Sequence, residues 1–212
     1  MFAVGALDAY FCDAYTDVIA AALIAKNRQA SVVLPDFFLD IKIPIRSILE
    51  DYDKENWRWR MAARDLMERE NVLSFHTIQR LFKKFCRNGH KFFHELMERW
   101  ILRDDARTRL FGTTKAKYQL MNDTAKDEAR KRAAAHLEDR FAVLFQRRHD
   151  CIHNCDRPRR TPQELNSAGT VLKVIQDVEF FVNRCDEHIN SEFREFLLGC
   201  NCTATTCSGV GY

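Results

Sequence analysis

The segment AKDEARKRAAAHLEDRFAVLFQRRHDCIH, residues 125–153, contains neither glycine nor proline. Its first half is dominated by alanine, glutamate, lysine and arginine, the residues that lose least on entering a helix. Ala133, Leu137, Phe141, Leu144 and Phe145 recur within it at helical spacing, so one long helix with one apolar stripe is expected. Asn122 or Asp123 caps its start, and residues 154–160, with Pro158, end it. Punctuation is scarce throughout: 212 residues hold only 7 glycines and 4 prolines. A strand-rich fold needs many turns, so the chain reads as all-α. With 46% apolar and 30% charged residues it has a core to bury and a solvated surface.

Residues 3–27 repeat apolar positions at helical spacing through Leu7, Tyr10, Phe11, Ala14, Val18, Ala21 and Ala22. Residues 31–44, apolar but broken by two prolines, read as a loop packed on the bundle or a short strand-like passage. Helices are expected over about 44–53 and 56–70. Ser74 caps another, through Cys86, with Phe75, Ile78, Phe82 and Phe85 as its stripe, and Asn88-Gly89 stops it. Residues 91–102 resume helical spacing; 103–121 read as an irregular connection broken at Gly112-Thr113-Thr114. Thr161-Pro162-Gln163-Glu164 supplies an N-cap, proline at the first helical position and glutamate at the third. The last helix then carries Leu165, Val171, Leu172, Ile175, Val178, Phe181 and Val182 and continues to Leu198. The expectation is one all-α domain over residues 1–199, a helical bundle whose long final helices run antiparallel, followed by a flexible cysteine-containing tail over 200–212.

A net charge of +3 is too mild to diagnose a nucleic-acid partner. The charge is unevenly placed, however: Arg147, Arg148, Arg157, Arg159 and Arg160 face only Asp150 and Asp156 within 147–160. The first 27 residues carry three aspartates and no basic residue before Lys26, unlike a secretory leader. No run approaches the ~20 apolar residues that span a bilayer. The expectation is a cytoplasmic chain, with no membrane association, whose eight cysteines are mostly reduced.

The basic excess coincides with the run RRHDCIHN, residues 147–154, where Arg148 is followed five positions later by His153. A neutral imidazole takes a proton from a ribose 2′-hydroxyl near neutral pH. A guanidinium holds phosphate oxygens and stabilises the charge that builds in the transition state. Together they suit RNA cleavage without a metal, leaving a 2′,3′-cyclic phosphate and a 5′-hydroxyl. Five residues turn an ideal helix by about 140°. The two side chains therefore share a site only if the helix loosens at Cys151-Ile152 or the arginine reaches round.

The motif and its setting resemble the HEPN superfamily of all-α domains, in particular the RiboL-PSP-type group. That pattern is an arginine, a polar residue, three variable residues and a histidine; here these are Arg148, His149, Asp150-Cys151-Ile152 and His153. The likeness covers about residues 123–185, within a motif-bearing core of about 123–198. Cys151 departs from the aliphatic residue expected there, and Cys155 from a small or polar one. The resemblance implies a HEPN-like bundle and a homodimer with two motifs facing across a cleft. It implies metal-independent endoribonuclease activity, as in many members, or non-catalytic RNA binding, as in others, in a toxin–antitoxin or anti-phage defence setting where an antitoxin or nucleotidyltransferase is a possible partner. Arg148 and His153 are then catalytic, and Arg147, His149, Asn154 and Arg157 support them or bind RNA.

The same residues have plainer readings. Arg148 and His153 also suit a solvated helix end, where cations oppose the macrodipole. His149 is a phosphate contact, a structural donor or only the polar placeholder; Asn154 caps the helix or reaches the cleft. The alternative to an enzyme is a non-catalytic HEPN module for RNA binding or assembly, or a purely structural helical protein. The alternation of His149, Cys151, His153 and Cys155 hints at zinc, but no Cys-x2-Cys pair supplies a second half-site, so neither metal nor cofactor is expected. Trp57, Arg58, Trp59 and Arg60 resemble an aromatic-basic patch for single strands, yet at helical spacing one tryptophan enters the core. No phosphate loop, nucleophile elbow or dinucleotide fingerprint occurs.

Overall fold

The computed structural model describes residues 2–38, 42, 57–67, 74–86, 93, 96–154 and 167–212, of which 2, 57, 58 and 150–154 are described as backbone alone. Within these residues the chain is all-α, without a strand. The helices are α1 (Phe2–Arg28), α2 (Trp57–Met67), α3 (Phe75–Phe82), α4 (Leu96–Ile101), α5 (Thr108–Phe111), α6 (Lys115–Gln119), α7 (Asp123–Asn154), α8 (Ala168–Gly199) and α9 (Ala204–Gly209). Single 3-10 turns lie at Asp36–Phe38 and Lys83–Phe85. No helix is long and apolar enough to cross a membrane among the described residues.

Several helix starts carry a capping side chain. Ser74 accepts a hydrogen bond from the Thr77 N–H at 3.1 Å. Asn122 accepts one from the Ala125 N–H at 2.9 Å, which makes it the cap of α7. Residues 103–121, read as irregular, instead contain α5 and α6. The stop between them is Gly112, at φ 66°, where a Cβ would also stand 3.1 Å from the His136 ring. Thr114 then starts α6 by accepting from the Lys117 N–H. The expected helix over 44–53, the stop at Asn88-Gly89 and the start at Thr161 lie outside the described residues; within them α8 begins at Ala168, capped by Ser167.

The core is organised around Phe181 of α8, which is fully buried. Its ring lies 4.6 Å from Phe141 of α7, 5.1 Å from Phe75 of α3, 5.8 Å from Phe11 of α1, 5.8 Å from Phe93 and 6.0 Å from Trp100 of α4, centroid to centroid. A second group gathers on Phe85, with Tyr15, Phe37, Phe38, Phe193 and Phe196. Phe82 joins the two through Phe11 and Tyr15. Burying one such side chain contributes about 1.5–3 kcal/mol by transfer alone.

The two long helices, α7 and α8, meet where Phe141 touches Phe181, and the same crossing holds a buried charge. Asp177 has no exposed surface; it accepts from Arg109 of α5 at 2.7 Å and from Arg140 of α7 at 3.0 and 3.2 Å. A carboxylate so placed requires both partners, because an unpaired buried charge costs several kcal/mol. It therefore fixes the turn of α7 against α8. Every member of the expected α7 stripe is buried. The α8 stripe is not: Val171, Leu172 and Ile175 are 46%, 55% and 47% exposed, and burial begins only at Asp177. They precede the crossing, and no described element covers them.

The tail over 200–212 was expected to be flexible and is packed instead. Thr203 caps α9, and Cys200, Cys202 and Cys207 are buried. The Tyr212 ring meets Phe193 edge-on at 4.6 Å. Arg28 donates to the Gly209 carbonyl at 2.7 Å, Gln29 to the Asn201 carbonyl at 2.7 Å, and the Val33 N–H to the Cys200 carbonyl at 2.9 Å. Burial, and then the hydrogen bond with Cys207, pushes the Cys202 thiol up to about 12; burial likewise pushes the Tyr212 phenol up to about 12.

Because the fold holds these groups in their protonated forms, their stabilisation is complete below the ordinary thiol pKa of about 8.5 and is lost as pH rises beyond it. The melting temperature is therefore expected to stay level to about pH 8.5 and to fall steadily above it. Iodoacetamide at about pH 8 should leave Cys200, Cys202 and Cys207 unmodified in the native protein and label all three in urea. A frayed tail would label at once, as read by mass spectrometry.

Candidate nucleic-acid interface

The motif lies on the last two turns of α7, which remains α-helical through Asn154. The helix therefore does not loosen at Cys151-Ile152. Positions 148 and 153 stand about 140° apart around one regular helix. Two rows run along α7 toward them. Arg148 falls within about 20° of the Phe141 row, so it continues the buried stripe outward. Position 153 falls within about 20° of both Ala142 and Gln146, on a solvent-facing row that also passes close to Glu138 and His149.

Arg148 is half-buried and meets Asp8 of α1, Nη2 to Oδ2 at 3.6 Å. That is an ion-pair distance beyond hydrogen-bond length. The other Asp8 oxygen, Oδ1, is buried with no hydrogen-bond partner among the described residues. A charged row-end arginine thus leans on a carboxylate that is itself incompletely satisfied. Asp8 is not legible as a site residue in the sequence. Its signal was weak, an aspartate beside Leu7 and Phe11 on the apolar side of α1, and nothing local names a partner 140 residues away.

Between α3 and α7 opens a cleft of about 370 Å³. Its polar lining is His76 of α3 with Glu138, Gln146, Arg148 and His149 of α7, and Ala142 also borders it. His76, Glu138 and His149 are exposed. Phe75 and Phe145 reach the cleft from the core, where their rings lie 6.3 Å apart. His76 is likewise not legible as a site residue; on sequence alone it is one more polar position on the helix capped by Ser74.

The structure brings Arg148 and His149 of the expected site into one cleft. Arg147 is half-buried on the same turn. Positions 153 and 154 are the last described residues of α7; the side chains of His153 and Asn154, and all of Arg157, lie outside what is described. Among the described residues no three His, Cys, Asp or Glu side chains gather as a metal site. Of the aromatic-basic patch, Trp59 packs against the core and Arg60 pairs with Asp17 of α1. Lys83 and Lys84, just after α3, are exposed, and the Lys84 ammonium lies 5.0 Å from the Phe37 ring centre.

Comparison with known proteins gives no assignment. No protein-family model, no curated protein and no solved structure matches the chain.

The Asp8 carboxylate both steadies Arg148 and competes with any anion for it. Partly exposed ion pairs contribute about 0–1 kcal/mol, and the unsatisfied Oδ1 offsets part of that. Asp8→Asn is therefore expected to shift the melting temperature by no more than about 4 °C. It should tighten binding of a short RNA several-fold at low salt, a gain that disappears near 1 M salt, where screening is complete within ~3 Å. Weaker binding, measured by fluorescence anisotropy, would mean that Asp8 only holds the arginine in place.

Proposed function

We propose that this chain is a metal-independent endoribonuclease of HEPN type, acting as a homodimer in a toxin–antitoxin or anti-phage defence setting. The observation that carries the reading is that position 153 continues the α7 row lining the cleft, with Arg148 at its rim. In this reading Arg148 holds the non-bridging phosphate oxygens. The imidazole of His153 acts as general base toward the 2′-hydroxyl or as general acid toward the leaving 5′-oxygen. The 2′-oxygen bonds to phosphorus as the P–O5′ bond breaks, giving a cyclic phosphate and a 5′-hydroxyl. His149 assists at the phosphate, and Arg147, Asn154 and Arg157 bind the RNA backbone.

In the homodimer of this reading the two clefts face each other, so that each phosphate also meets the partner's motif. The surface assigned to that contact is the uncovered apolar strip of Val171, Leu172 and Ile175 on α8. Leu172→Asp is then expected to convert a dimer to a monomer in analytical ultracentrifugation and to reduce cleavage at least about tenfold, with the fold retained by circular dichroism.

The direct assay is incubation with structured RNA in EDTA, beside Arg148→Ala and His153→Ala. Cleavage is expected to survive chelation, leave cyclic phosphate ends, and fall by about 10²–10⁴-fold in each variant. A second reading, non-catalytic RNA binding or assembly, is favoured by the Asp8 contact, which gives Arg148 a structural task. A well-folded dimer that binds RNA but cleaves none of several substrates would support it instead.

A further inference from the structure

Resting on the ribonuclease reading, we infer that the cleft between α3 and α7 is a nucleotide subsite within one protomer, and that His76 is its positioning residue. The cleft seats the single-stranded nucleotide next to the bond that is cut. His76 belongs to a different helix from the motif and borders the same space as Arg148 and His149. Its backbone is fixed from both sides. Ser74 caps α3 through the Thr77 N–H and also bonds the Thr77 hydroxyl at 2.9 Å. Phe75 is locked into the core against Phe93, Phe141 and Phe181. Neither device involves the motif, so the backbone that carries His76 is held in place whether or not RNA is bound.

The lining specifies the ligand. One guanidinium and two imidazoles present donors to a phosphate. Glu138 repels a ligand made of phosphate alone and accepts from hydroxyl or base N–H groups. Gln146 offers a donor and an acceptor to a base edge. Phe75 and Phe145 give the lining an apolar patch for a ring. A phosphate joined to a sugar and a base satisfies all of these, and about 370 Å³ holds one such unit and not a paired helix. Ala142 leaves the room: it borders the cleft and is exposed, so a larger side chain there takes up cleft space without entering the core.

The test uses the full chain in EDTA, with a fluorescein-labelled hexanucleotide whose 2′-positions are methylated and therefore not cleavable. Ala142→Trp is expected to weaken its binding at least about tenfold, and His76→Ala about tenfold, with melting temperatures near that of wild type. With a cleavable RNA, His76→Ala should raise KM about tenfold with little change in kcat, the pattern of lost positioning and not of lost chemistry. His76→Gln, which keeps a donor, should restore most of the affinity. Wild-type binding left unchanged by both Ala142→Trp and His76→Ala overturns the subsite while leaving the nuclease reading intact. Cleft-dependent binding without any cleavage supports the subsite and sinks the nuclease. No binding of the hexanucleotide by wild type overturns the subsite.

Discussion

The packing of aromatic rings on Phe181 is the constraint from which the rest of the molecule follows. Four helices and the chain at Phe93 bring a ring to that one side chain, so none can shift without opening a void in a dense interior. Phe75 shows how this reaches the surface. It is a core residue on one side and a cleft residue on the other, and its immediate neighbour is His76. Asp177, gripped by Arg109 and Arg140, adds direction to what ring packing alone leaves free to rotate. Rotation matters here, because the side of α7 facing α3 decides which residues line the opening.

Helix α7 carries two kinds of information on two rows. One row builds the core through Ala133, Leu137, Phe141 and Leu144 and ends at Arg148, where solvent first reaches it. The other faces outward through Ala142, Gln146 and His149 toward position 153. An arginine at the end of a buried row is held more firmly than one on an exposed face, since its stem packs while its head stays wet. Asp8 supplies a counter-charge from the first helix, close enough to orient the head and too distant to satisfy it.

Helices marked by uninterrupted spacing and a capping side chain were legible from the sequence. The start of α3 at Ser74, the α7 stripe and the extent of α1 all follow from local chemistry. The short helices α5 and α6 were not, because a few residues held by Thr114, Gly112 and the neighbouring α7 leave no periodic pattern. The α8 stripe misled in its first turns: apolar spacing marks a face, but what covers that face is decided elsewhere. The tail misled for the opposite reason. Small polar residues gave no pattern, yet threonine capping and three buried cysteines hold it. At the site, Arg148 and His149 were legible as a motif, whereas Asp8 and His76 become relevant only through contacts made across the fold.

The contact of the tail with the first helix also bears on when the protein becomes itself. Arg28 reaches Gly209, Gln29 reaches Asn201, and Tyr10 reaches Asp186, pairs separated by 181, 172 and 176 residues. Asp8 and Arg148 span most of the chain as well. Contacts of such sequence separation form late, because ordering the intervening chain precedes any gain from closing it. The contacts of Arg28 and Gln29 with residues 200–212 therefore close only after the long helices between them are ordered. The Asp8–Arg148 pair, whose partners stand 140 residues apart, is under the same constraint, so Arg148 gains its counter-charge late in folding and not as α7 itself forms.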